Sequence, residues 1–298
     1  MVMHDHLRQL SKVWASPGNR SAKAAGVLRA VWWFTSKRFR KQPLRRTVFT
    51  DRRFYCYPDG FVSNSVMLFG EWHEYDALHF IDAWLRPEDY FLDVGANVGL
   101  YSLLASRHVG SSIVCVEPGK TQLDRLAENL RDNSCNALIL PYCVSDEPGI
   151  SHMSSGDAVS HVSADTLQGE AVETVRLDDV VPDRTYALMK LDVEGFELKA
   201  LRGARSLISS GRLPAILFEL NGSSTRYGVS ESDVPRLLRE HGYTLGMYRH
   251  DEQVFDTTAS LWGDVLALSE QGMEMLKRRL PNLRVVGTGL GAATDPAS

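Results

Sequence analysis

Three things are scarce in this chain of 298 residues: cysteine, long apolar runs, and acid near its beginning. The four cysteines, Cys56, Cys115, Cys135 and Cys143, make no C-x-x-C, and two of them sit in apolar strand-like runs where cysteine acts as a small hydrophobe. A disulfide scaffold is excluded and a reducing compartment expected. No apolar run approaches the roughly 18 residues that span a bilayer, and "MVMHDHLRQLSKVW" lacks the apolar core of a signal peptide, so the expected location is the cytoplasm. Residues 1–53 hold thirteen Lys or Arg against two acids, Asp5 and Asp51, so a basic leader precedes an acidic body. An acidic body repels a phosphate backbone, and nucleic acid is not expected as a partner. No internal repeat occurs.

What is present is alternation. With 44% hydrophobic residues the chain can bury a core. From Tyr90 on, short β-branched runs alternate with longer amphipathic ones, as parallel strands joined by crossover helices do. Strands are expected at 90–94, 112–116, 137–144, 186–195 and 215–222, and two final ones at 243–249 and 261–269 imply an antiparallel hairpin at the sheet edge. Residues 147–180, rich in Ser, Gly and Asp, predict a β-rich insertion. The expected organisation is a helical extension over 1–53, an α/β domain over 54–280 and a flexible tail over 281–298.

The stretch "YFLDVGANVG" (Tyr90–Gly99) reads as a strand breaking into a turn that opens a helix. In an open α/β sheet the ligand lies outside the carboxyl ends of the strands. A dinucleotide fold wants G-x-G-x-x-G so that the backbone can approach a pyrophosphate; here Asn97 occupies the second glycine position. Glu117, closing the second strand, can accept hydrogen bonds from a ribose diol. Gly95, Ala96, Asn97 and Gly99 behind Asp93 suit a ligand without phosphates, whose zwitterionic end takes backbone amides and an acceptor.

The motifs "FLDVGANVGLYSLLAS", "VCVEPGKTQLDRLAENL", "VSDEPG", "VRLDDVV", "MKLDVEGFELKALRGA" and "ILFELNG" occur in that order, and Gly70 to Gly222 resembles the FkbM family of S-adenosylmethionine-dependent methyltransferases. The resemblance implies a class I methyltransferase (Rossmann-like) seven-stranded sheet with helices on both faces, S-adenosyl-L-methionine as cofactor, and O-methylation of a hydroxyl on a sugar, glycan, glycolipid or secondary metabolite. A nicotinamide oxidoreductase and a non-catalytic binding module are the competing readings.

Methyl transfer to an alcohol needs alignment, and either a general base or a metal such as Mg²⁺ or Mn²⁺ to acidify the hydroxyl. Lys190, Asp192 and Glu194 alternate with apolar residues, so period two sends them to one side as the strand runs out. An internal ion pair of Lys190 with Glu194 or Glu219 is the structural alternative. Glu219 and Asn221 repeat the pattern. His73 and Glu74, in "GEWHEYD", are candidate base or substrate contacts, and Ser145 and Asp146 fall where the adenine edge should lie. His152 and His161 lie in the insertion. Trp32, Trp33 and Phe34 among the leader's cations fit either a peripheral helix at an anionic membrane or one packed on the domain with solvated charges.

Overall fold

The computed structural model describes residues 2–153 and 169–287. Two helices, α1 (Val2–Ala15) and α2 (Lys23–Ser36), lead to a hairpin of β1 (Leu44–Val48) and β2 (Arg52–Cys56), then to α3 (Phe61–Phe69) and α4 (Tyr75–Trp84). The alternating part follows with β3 (Phe91–Val94), α5 (Leu100–Val109), β4 (Ile113–Val116), α6 (Lys120–Asp132) and β5 (Leu138–Leu140). Three strands outside the main sheet come next, β6 (Cys143–Val144), β7 (Gly149–Met153) and β8 (Glu170–Val175), and then α7 (Leu177–Val180). Alternation resumes with β9 (Leu188–Leu191), α8 (Glu197–Gly203), α9 (Arg205–Ser209), β10 (Ala215–Leu220) and α10 (Asp233–Glu240). The last elements are β11 (Thr244–Arg249), β12 (Val254–Asp256), β13 (Gly263–Leu268), α11 (Glu270–Arg279) and β14 (Arg284–Val286).

The main sheet runs β14-β12-β11-β13-β10-β9-β3-β4-β5, with β5 through β10 parallel and β13 antiparallel to both β10 and β11. Strand order therefore reverses beside β3, which has β4 on one flank and β9 on the other. Helices cover both faces: α4, α5, α6 and α11 enclose one apolar cluster, and α7, α8, α9 and α10 the other. Period two assigns each strand residue to a face. Phe91, Leu188, Leu217 and Leu266 enter the first cluster; Leu92, Met189, Phe218 and Val265 enter the second. By the same alternation Asp93, Lys190, Glu219 and Asp264 all lie on the first face. The register sets Asp93 against Lys190 and Glu219 against Asp264.

Several boundaries differ from the sequence expectation. The strand expected over 137–144 breaks at Pro141, which has no N–H for a ladder, and β6 joins the three-stranded sheet β6-β8-β7. The insertion is β-rich over its described ends. The expected cut after residue 53 falls inside β2, and Trp33, Val48, Phe49 and Phe54 are buried in the first cluster, so the leader is built into the domain's core. The region expected as a flexible tail contains β14, paired with β12; residues 288–298 lie outside the described residues. Beside the seven expected strands, β12 and β14 extend the sheet past β11, so the final hairpin is not its edge.

Candidate active site

The turn after β3 is forced by close approach. A Cβ at Gly95, whose φ is +77°, would lie 1.8 Å from the Asp192 carbonyl oxygen, so only glycine lets the loop after β3 pass against the loop after β9. Asn97 also holds a left-handed φ, +49°. Gly99 opens α5 against Leu126. The loop is held from the next strand: Glu117 Oε2 accepts from the Asn97 amide at 2.9 Å and Oε1 from the Gly119 amide at 2.8 Å. Burial pushes the Glu117 carboxyl up to about 7, against the opposing pull of those two amides.

A cleft opens along this loop, lined by Gly95, Asn97, Glu117, Tyr142, Met153 and Asp192 among others. No Lys, Arg or His is among its described lining residues, whereas Glu117, Asp192 and Glu194 are. A second cavity lies beside it, walled by Phe61, His73, Glu74, Ala96, Tyr101, Lys190, Glu219 and Asn221. Asn97, Asp192 and Glu194 line both, so the two spaces meet at these three residues.

Lys190 organises the floor. Its Nζ donates to the Gly95 carbonyl at 2.9 Å and to Asp192 Oδ2 at 3.2 Å, and lies 4.0 Å from Asp93 Oδ1. Burial would lower this ammonium, but Asp192, Asp93 and Glu74 together hold it above its ordinary range. Asp93, fully buried, accepts from Ser102 Oγ at 2.5 Å and keeps Oδ1 without a hydrogen bond. Asp192 Oδ1 is likewise buried without a partner. The ion-pair alternative thus exists with different members: Lys190 pairs with Asp192 and Asp93, not with Glu194 or Glu219.

Carboxyls crowd the second cavity. Burial, then Asp192 and Glu74, push Glu219 up to about 8; burial, Asp192 and Glu197 push Glu194 up to about 7. Asp264, facing Glu219 across the ladder, is raised by burial and by Glu74 and Glu219. Glu74 goes the other way: burial would raise it, but His73 and the Tyr101 hydroxyl hold it low. A carboxyl raised in the folded state binds protons the unfolded chain has released, so its contribution is complete below about 4.5 and lost as pH rises through its folded value. The melting temperature should therefore decline from about pH 5 to about pH 9, and decline less in Glu219→Gln. Equal slopes for the two proteins would show that Glu219 ionises as it does in water.

Of the residues expected from sequence, Gly95, Asn97, Glu117, Asp192 and Glu194 line the cleft, and Ala96, His73 and Glu219 line the second cavity. Asp93 and Gly99 support the loop from beneath. Ser145 and Asp146 are not among the lining residues of either cavity. Past Pro141 the chain turns into the smaller sheet, Ser145 Oγ donates to Asp146, and Asp146 faces Arg202 at 3.9 Å. Tyr142, Cys143, Val144 and Met153 line the cleft next to them in the chain. Glu194 leaves the strand in a left-handed turn, φ +54°, so period two places only Lys190. His152 lies on β7 outside both cavities, and His161 lies outside the described residues. Tyr101 and Asp264 had no sequence signal, because each gains its place through packing and cross-strand register.

The order β5-β4-β3-β9-β10-β13-β11, with β13 antiparallel to both neighbours and helices on both faces, is that of a class I methyltransferase fold. Residues 93–245 match the Methyltransferase FkbM domain, about half of the chain, and the protein belongs to that family. It is 28% identical over 199 residues to the 31-O-demethyl-FK506 methyltransferase FkbM of Streptomyces tacrolimicus, covering 54% of this chain and 75% of the relative. It is 27% identical over 172 residues to the hexuronic acid methyltransferase AglP of Haloferax volcanii, covering 56% of this chain and 68% of the relative. Among solved structures, magnesium protoporphyrin IX methyltransferase from Synechocystis aligns with a TM-score of 0.41 at 10% identity, over 70% of this chain and 84% of that one.

Proposed function

We propose that this methyltransferase binds S-adenosyl-L-methionine in the cleft along Gly95–Gly99 and methylates a hydroxyl of a sugar or sugar-bearing acceptor held in the second cavity. The observation that carries the cofactor is the lining of the cleft: three carboxyls and, among the described residues, no cation. A pyrophosphate would meet repulsion there, whereas a ligand with a sulfonium and an ammonium is complemented. Glu117, close under the amides of the loop, is the group to accept from a ribose diol.

The bound cofactor supplies a methyl group on a positively charged sulfur, already activated for displacement. The chain's own work is to align and deprotonate the acceptor. Asp192 stands where the two cavities meet, its side chain about one-third exposed and its Oδ2 held by Lys190, which limits the carboxylate to one orientation for taking the hydroxyl proton. Glu219, Glu194 and His73 line the acceptor side as further polar contacts. We assign the deprotonation to Asp192 directly, because Lys190 holds its carboxylate at the junction of the two cavities. An acceptor with hydroxyls fits a cavity walled by carboxyls, Asn221 and Tyr101, and the two relatives are named as a 31-O-demethyl-FK506 methyltransferase and a hexuronic acid methyltransferase. Four free, buried cysteines are consistent with work in a reducing compartment such as the cytoplasm.

Glu117→Ala tests the cofactor pose. It should weaken S-adenosylhomocysteine by about 1.5–3 kcal/mol in calorimetry, the cost of losing hydrogen bonds to a charged acceptor. Unchanged affinity would place the ribose elsewhere. Transfer of labelled methyl from S-adenosylmethionine to a pool of sugars and glycolipids, read by mass spectrometry of the product, tests the reaction. Label appearing only on nitrogen would remove the hydroxyl assignment.

A further inference from the structure

Helix α2 buries one face and leaves the other bare. Gly26, Ala30 and Trp33 face inward, and the helix is fastened to α3 by Trp33 Nε1 donating to Asn64 Oδ1 and Arg29 Nε donating to the Met67 carbonyl, each at 2.8 Å. On the outer face Leu28, Val31 and Trp32, at helical spacing i, i+3 and i+4, are 70%, 43% and 44% exposed, and Phe39 just beyond the helix is 89% exposed. Four large apolar side chains exposed within twelve residues are more than scattered surface residues and point to an interaction surface.

Charge says what covers it. From His6 to Thr50 the sequence contains eleven Lys or Arg and no Asp or Glu. Arg40 lies over the Trp32 ring at 5.3 Å, Lys37 over Phe34 at 5.8 Å, and Arg38 and Lys41 are exposed beside Phe39. An apolar stripe rimmed by cations matches a lipid surface with anionic headgroups, where aliphatic groups enter the acyl boundary and cations remain at the phosphates. A nucleic acid would leave Leu28 and Val31 without a partner, and the acidic body would oppose it.

We propose that the outer face of α2, continued by Phe39, docks the protein on an anionic membrane surface. The geometry adds a consequence for the acceptor. Lys37 Nζ donates to Asn64 Oδ1 at 3.1 Å, one turn of α3 from Phe61, which is half exposed and forms a wall of the second cavity. Docking therefore brings that wall toward headgroup level, suited to a sugar carried on a lipid. That consequence rests on the second cavity being the acceptor site; docking itself does not.

The test uses the full chain, with co-sedimentation on phosphatidylcholine vesicles that contain about 30% phosphatidylglycerol or none. Binding to the anionic vesicles only, lost in about 0.5 M NaCl, is expected. Leu28→Ser with Trp32→Ser should weaken binding by roughly tenfold or more, because both side chains lose their apolar burial. Both residues are exposed, so this variant should keep the parent's melting temperature and S-adenosylhomocysteine affinity, which separates loss of docking from failure of the site. Absence of binding to anionic vesicles, or equal binding by the variant, would overturn the proposal. So would a concentration-dependent dimer that the variant abolishes, since a second copy of the chain would then cover the face.

Discussion

Asp192→Asn should bind S-adenosylhomocysteine nearly as well as the parent and yet transfer methyl groups 10²- to 10⁴-fold more slowly, roughly the contribution of a positioned base. The substitution keeps the shape and the contact to Lys190 but removes the charge at one of the two carboxyls, Asp192 and Glu194, where the two cavities join, the one that Lys190 holds in place. Chelation distinguishes its two conceivable roles. Full parental activity after treatment with a chelator is expected for direct proton acceptance, whereas activity restored only by Mg²⁺ or Mn²⁺ would assign Asp192 to coordination. Parental turnover in Asp192→Asn would move the catalytic role to Glu219, Glu194 or His73.

Lys190→Met should cost about 3–5 kcal/mol of folding stability, the range for breaking a buried ion pair from one side. Lys190 is 6% exposed and Asp93 is fully buried, so removing the ammonium strands a carboxylate that water cannot reach. It also releases the Gly95 carbonyl and with it the turn of the cofactor loop. Urea unfolding of Lys190→Met and of Lys190→Met with Asp93→Asn separates these effects. The second substitution should recover part of the lost stability, because it removes the stranded charge. A loss below about 1 kcal/mol for Lys190→Met would mean that the cluster is solvated and contributes as a surface pair does.

The side of the candidate site proposed for the cofactor was legible in the sequence as a loop and strand end because its determinants are local. The Gly95 and Gly99 spacing, the acid at Glu117 and the strand-turn-helix pattern each lie within one element and its turn, and period and glycine chemistry apply directly. The acceptor half was legible only in part. Asp192, Glu194 and Glu219 stand at strand ends, which alternation can find, but the partners of Lys190 depend on β3 lying beside β9, and Asp264 matters only because β13 returns antiparallel beside β10. The end of the strand expected over 137–144 was missed because of one residue, Pro141, whose effect on the ladder carried the chain into a different sheet. The leader shows the same division. Helical period puts Trp33 and Trp32 on different faces, but which face is buried was decided by Asn64 and α3.

The measurement that tests the account most directly is calorimetry of the unmodified protein with S-adenosylhomocysteine and, separately, with NADH. Three carboxyls and no described cation in the cleft predict one binding site for S-adenosylhomocysteine and no measurable heat with NADH. Tight binding of NADH, with none of S-adenosylhomocysteine, would contradict the assignment of the cleft and of the reaction built on it.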